Sequence, residues 1–152
     1  MRQTNRLNAL MALIRQGEGK AGIYALASAA GRPYRRVHDQ VRRLVREGQV
    51  KLVPQQVNGR RRLQVVPVDM TPMRFNRAWS RPSGGVDAET EIALVLSRPA
   101  FDDLLSCVQR HGLSRVRAVH DVMLNDLELS PGAAAASTRM LNNIEVGLAR
   151  AA

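Results

Sequence analysis

Apolar residues recur at helical spacing along the first part of the chain. Leu7, Leu10, Met11 and Ile14 share one stripe of a segment from Asn5 to Gln16, and Gly17, Glu18 and Gly19 break it. Gly22 to Ala30 repeats the pattern with Ile23, Leu26, Ala27 and Ala30, whose small alanines let a neighbouring helix come close. Gly31 can supply a left-handed corner, and Pro33 suits the first turn of a helix because its missing N–H would be unpaired there anyway. A third helix is therefore predicted from Pro33 to Glu47, with Val37, Val41, Leu44 and Val45 at helical spacing and Gly48 as its stop. Val50 to Val53 and Leu63 to Val68 then read as two strands, joined by a loop containing Asn58-Gly59, a strong turn signal. Arg60, Arg61 and Arg62 fall just past that turn.

The stretch from Asp69 to Asp87 shows neither period, contains Pro72 and Pro82, and ends near Ser83-Gly84-Gly85, so it reads as a linker. Phe75 and Trp79 leave room for a docking segment, on a domain or across a dimer interface, and Arg74, Arg77 and Arg81 for an arm on nucleic acid. Glu91 to Leu96 is an apolar run that can be a strand or a first helical turn, because periodicity alone does not decide. Ser97 and Pro99 predict a helix through His111 closed by Gly112, Ser114 a cap for another through about Asp126, and Ser130-Pro131 the start of a third towards Ala151. Three short helices with apolar stripes suit a small bundle or a dimer interface.

Charge divides the chain. The net charge is +10 over 152 residues, with a pI near 11.4, which makes a polyanion the default partner without choosing between DNA, RNA and an anionic membrane. Residues 1–81 hold 17 Lys and Arg against 4 Asp and Glu, a net of +13, whereas the remainder nets −3. Arginine outnumbers lysine by 21 to 2, so clustering is a better guide than arginine chemistry as such. A single cysteine, Cys107, excludes an intramolecular disulfide, and no apolar run approaches the roughly 20 residues of a membrane-spanning helix. The opening MRQTNRLNAL lacks the apolar core of a secretory signal, so a cytoplasmic protein with no membrane association is expected.

A helical wheel of the third helix places Val37, Val41, Leu44 and Val45 on one side and Arg35, Asp39, Arg42, Arg43 and Arg46 on the other, with Arg36 and Gln40 on the flank. Arginine can bridge guanine O6 and N7, glutamine can pair with adenine and aspartate can accept from cytosine. Tyr34, Arg35, Arg36, Asp39 and Gln40 are therefore candidate base readers, although Tyr34 lies at the edge of the apolar side and can equally complete the core. Arg42, Arg43 and Arg46 lie further along and suit phosphates, and Arg60, Arg61 and Arg62 suit backbone or minor-groove contact, or a plain solvated turn.

Three helices followed by a basic-tipped hairpin is the order of a winged helix-turn-helix domain. Within residues 5–68, IYALASAAGRPYRRVHDQVRRLVREGQV resembles bacterial transcriptional regulators of the broad MarR/ArsR-like winged-helix class, with its small-residue helix, tight turn, recognition helix and EGxV entry to the wing. The resemblance implies a recognition helix at Pro33 to Glu47 and a wing at Val50 to Val68.

The expected fold is mainly α with a small β-hairpin wing (α+β): a winged helix-turn-helix over residues 1–68, a linker or docking segment over 69–87, and a small helical domain over 88–152 for dimerisation or a partner. The expected function is sequence-specific binding of double-stranded DNA as a transcriptional regulator, a homodimeric repressor or autoregulator, because one reading helix is little to bind with. The alternative is an antitoxin-like protein whose C-terminal helices bind a partner protein while the N-terminal domain autoregulates the operon. An enzymatic reading rests on Cys107 and His111, four apart on one helix, and on His120. A lone helical cysteine is more often a small buried hydrophobe, and no phosphate loop, catalytic carboxylate pair or zinc-finger spacing is present, so no enzymatic activity, cofactor or metal is expected. Adjacent Asp102 and Asp103 read as first-turn acids favourable to the helix dipole, and His38 as structural or phosphate-facing.

Overall fold

The computed structural model describes residues 2–77 and 85–152. Seven helices are present among them: α1 (Arg2–Arg15), α2 (Ile23–Ala29), α3 (Tyr34–Arg46), α4 (Ala88–Ser97), α5 (Phe101–His111), α6 (Leu113–Asn125) and α7 (Pro131–Ala151). A 3-10 turn (Glu18–Ala21) links α1 to α2, and strands β1 (Val50–Val57) and β2 (Arg60–Pro67) follow α3. The architecture is mainly α with one antiparallel hairpin after three helices, a winged-helix-like arrangement, and four further helices.

The helix-turn-helix corner is built as its sequence suggests. At Gly31 (φ 59°), Arg32 N–H donates to Ala27 O at 3.1 Å and Gly31 N–H to Ser28 O at 3.0 Å, which closes α2 with a left-handed cap. Pro33 stands at the N-cap with ψ 135°, one residue before the helix rather than inside it. Leu10, Met11 and Ile14 of α1, Leu26 and Ala27 of α2, the four apolar residues of α3, and Val50 and Val65 of the hairpin form one buried cluster.

The strands run further than their apolar stretches. Pairing extends from Val50 opposite Pro67 to Val57 opposite Arg60, leaving only Asn58 and Gly59 in the turn, both at positive φ (51° and 73°). That geometry matches a two-residue hairpin turn whose twist suits the flanking strands. Arg60, Arg61 and Arg62 therefore stand on β2 itself. Pro54 is tolerated within β1 because each strand of a two-stranded ribbon has a free edge.

Residues 88–152 form four helices where three were expected, because the apolar run Glu91 to Leu96 lies inside α4. Asp87 caps α4, accepting from Thr90 N–H at 3.0 Å and Thr90 Oγ1 at 2.6 Å, and these bonds hold its carboxyl below the usual range. Two expected caps are corrected. Ser97 ends α4 and donates to Ala93 O, while Ala100 stands at the N-cap of α5. Gly112, not Ser114, is the N-cap of α6. Ser130 does cap α7, accepting from Ala133 N–H at 3.2 Å. Ile92, Val95, Leu96, Leu104, Cys107, Val108, Val116, Leu141 and Ile144 dominate the second core. His120 is buried against Ser137 Oγ at 3.0 Å, and burial lowers its pKa.

The two cores meet at the end of α3. Gly48 (φ 77°) closes that helix with Gln49 N–H on Leu44 O at 3.1 Å. Leu113 N–H donates to Glu47 O at 3.1 Å, and Ser114 N–H to Glu47 Oε2 at 2.8 Å, so Glu47 supplies the acceptors that the start of α6 lacks locally. The Ser114 hydroxyl donates to the other carboxylate oxygen. A Cβ on Gly48 would lie 3.1 Å from both Leu148 Cδ1 and Val108 Cγ1. Gly48→Ala is expected to lower stability by at least about 1–2 kcal/mol, the usual cost of a side chain at left-handed φ, read as a lower urea midpoint; an unchanged midpoint would show that the junction is loose.

Candidate nucleic-acid interface

Burial of Val37, Val41, Leu44 and Val45 fixes the roll of α3, since all four are at most 3% exposed. The opposite side consequently faces water. Arg35, Arg36, Asp39, Arg42, Arg43 and Arg46 are all exposed, as are Arg60, Arg61 and Arg62 on β2. None of these arginine side chains makes a hydrogen bond or ion pair among the described residues. Arg77, Arg110 and Arg117, by contrast, each hold a carboxylate: Asp103 at 2.8 Å, Glu91 at 2.5 Å and Glu145 at 2.5 Å. The structure thus places the unneutralised arginines of α3 and the wing on the helix-and-hairpin half of the chain.

The flanks of α3 differ. On one side Gln40 is half-buried and its Oε1 accepts from Arg32 Nη1 at 3.4 Å, while that nitrogen also lies 3.3 Å from Arg6 O. Gln40, expected to read a base, already has an intramolecular donor. Arg43 borders a cleft of about 410 Å³ between α1, the end of α3 and the α5–α6 corner, where Arg15, Arg110 and Arg115 also lie. It therefore stands apart from Arg42 on the helix surface. On the other flank Tyr34 is 49% exposed, so it does not complete the core, and its ring stacks on His38 at 5.9 Å. His38 Nδ1 lies 3.5 Å from Asp39 Oδ1, the acidic group on this face.

Two nearby residues were missed by helical spacing. Tyr24 on α2 is 79% exposed and lies 6.4 Å from Tyr34, ring centroid to centroid. It falls off the stripe of Ile23, Leu26, Ala27 and Ala30, which is the signal that could have found it. Arg32, in the corner, ties α1 to α3 and has no periodic signature.

The segment after the wing is a docking segment over the residues described. Thr71 N–H donates to Gln109 Oε1 at 2.8 Å, Met73 packs on the second core, and Arg74 N–H donates to Asp103 Oδ1 at 2.5 Å. Arg77 clamps the other oxygen of Asp103 through Nε and Nη2 at 3.1 and 2.8 Å, with Asp103 fully buried. Asp103 stands in the first turn of α5, as expected, and is at the same time a buried counter-ion. One expectation is corrected: Arg77 is held inward rather than extended as an arm. Phe75 carries Arg74 and Arg77 over its ring at 5.6 and 5.4 Å. The expectations for Trp79 and Arg81 lie outside the described residues.

Cys107, His111 and His120 do not converge. Burial pushes the Cys107 thiol up to about 12, with Glu91 adding to the shift, so it carries no thiolate near neutrality. His111 Nε2 lies 2.6 Å from Glu91 Oε2, and His120 faces Ser137. Among the described residues no group of three or more His, Cys, Asp or Glu is placed to hold a metal ion. No helix of the described residues is long and apolar enough to cross a membrane.

The model of the family HVO_A0114 matches residues 4–70, the stretch that contains α1 to α3 and the hairpin. Neither a curated protein nor a solved structure matches the chain.

Arg77→Ala leaves a buried carboxylate without its cation, at a cost of about 3–5 kcal/mol. The expected outcome is a marked drop in the urea midpoint that Asp103→Asn with Arg77→Gln partly restores; an unchanged midpoint would mean that the pair is solvated.

Proposed function

We propose that the chain is a sequence-specific double-stranded DNA-binding transcriptional regulator, acting as a homodimeric repressor or autoregulator. One observation carries the reading: the α3 face opposite the buried valines presents Arg35, Arg36, Arg42 and Arg46 with no internal counter-ion among the described residues, beside a hairpin carrying Arg60, Arg61 and Arg62. Leaving this many cations unpaired on one surface is unfavourable through mutual repulsion unless a polyanion neutralises them. An α-helix fits the major groove, where Arg35 and Arg36, in the first turn of α3, can read guanine edges and Asp39 can accept from cytosine. Arg42 and Arg46, further along, suit phosphates, which fix register without reading sequence. Tyr34 stands at the edge of this surface as a base contact, and Gln40 joins it if Arg32 turns to the DNA. Arg43, at the cleft mouth, suits a flanking phosphate.

The arrangement also supports the likeness to the MarR/ArsR-like winged-helix class, in which the hairpin is the wing. Two copies related by a two-fold axis would read half-sites one or two helical turns apart. Residues 88–152 would supply the contact between copies, and the tie from Glu47 to α6 would transmit its geometry to α3.

Alanine at Arg36 is expected to lower affinity for a preferred duplex by roughly 1–3 kcal/mol while sparing random duplex, whereas alanine at Arg46 weakens both alike. Titration of labelled duplexes by fluorescence anisotropy separates the two. Equal losses on specific and random DNA for both variants would remove the division between reading and positioning residues.

A further inference from the structure

Both tyrosines of the chain lie at one crevice, on the flank of α3 away from the α1 cleft. Tyr24 is 79% and Tyr34 49% exposed; their rings are tilted by 37°, and Tyr34 continues the row onto His38 at an interplanar angle of 29°. Across from them stands β2. Strand alternation puts Arg61 and Leu63 on the same face as buried Val65, the face turned to the helices, and Arg61, Arg62 and Leu63 line the crevice, whose volume is about 500 Å³. Tyr34, Arg61 and Arg62 are shared with the duplex surface; Tyr24 is not.

Exposed aromatic faces beside unpaired cations match the chemistry of single-stranded nucleic acid, whose bases stack on flat rings while its phosphates meet arginine. A duplex cannot use the same platform in this way, because its bases are covered above and below by their neighbours. An aromatic groove can also take a proline-rich peptide. The crevice, however, is lined by two arginines and no acidic residue, which favours a polyanion. We propose that this crevice binds an unpaired stretch of nucleic acid, with one base stacked on Tyr24 and the adjoining phosphates on Arg61 and Arg62. The site overlaps the duplex surface at Tyr34, Arg61 and Arg62 but not at Tyr24, so a change at Tyr24 separates single-strand binding from duplex binding.

The test uses the full chain and a labelled oligodeoxythymidine of about ten nucleotides, within the usual range for one single-strand site, beside a blunt duplex at the same salt. Tyr24→Ala should weaken single-strand binding roughly 5- to 150-fold, the range of one base–aromatic stack, and leave duplex binding unchanged. Tyr24→Phe should bind the single strand like the wild type, because stacking needs the ring and not the hydroxyl. With Tyr24 this exposed, both variants should keep the wild-type thermal midpoint, which excludes misfolding as the cause. The proposal is overturned if Tyr24→Ala binds the single strand as tightly as the wild type, if Tyr24→Phe loses as much as Tyr24→Ala, or if the wild type binds a proline-rich peptide and ignores the oligonucleotide.

Discussion

The burial of Val37, Val41, Leu44 and Val45 is the constraint on which the rest of this molecule depends. Each such side chain contributes about 1.5–3 kcal/mol when removed from water, so rolling α3 by even a third of a turn would expose much of that surface and submerge arginines. The roll of the helix is therefore set by its apolar side, and the positions of Arg35, Arg36, Asp39, Arg42 and Arg46 follow as a consequence. The hairpin adds Arg60, Arg61 and Arg62 because Val50 and Val65 are anchored in the same core. Charge decorates a surface whose shape the valines and leucines determine.

A second constraint acts at the end of that helix. Gly48 lets the chain turn where the second core presses closest, and Glu47 provides acceptors to Leu113 and Ser114 at the start of α6. The last turn of α3 is thus shared between both parts of the chain. A change in how the C-terminal helices pack has a short route to the basic face, through backbone and a carboxylate rather than through a flexible connection. The docked segment from Thr71 to Arg77 reinforces the same junction by fixing the exit of β2 to α5.

Periodicity was sufficient for α1, α2 and α3, because each keeps one side in water and one in the core. It was insufficient for α4, whose short run Glu91 to Leu96 carries apolar residues on adjacent positions and so lacks contrast. The hairpin is recognisable at Asn58-Gly59, yet its strands extend further than their apolar stretches: Pro54, Gln55 and Gln56 stand opposite Leu63, Arg62 and Arg61, with no apolar alternation to mark the pairing. Ser114 does not cap α6 because Glu47, far away in sequence, supplies the acceptor there, whereas Ser97 falls at the end of α4 and bonds back to Ala93 O. The Arg77–Asp103 pair has no local signature for the same reason, being joined across 26 positions. In the candidate site the arginines were legible from charge clustering and the wheel, whereas Gln40's attachment to Arg32 and the meeting of Tyr24 with Tyr34 depend on how α2 and α3 cross.

A basic protein binds DNA of any sequence at low salt, so sequence reading by the proposed α3 face is a stronger claim than attraction of polyanions. Selection of bound duplexes from a random pool at physiological salt separates the two. Enrichment of one sequence, repeated as two symmetric half-sites about one or two helical turns apart, is the outcome expected of a paired α3. Recovery of a pool no different from the input would contradict it.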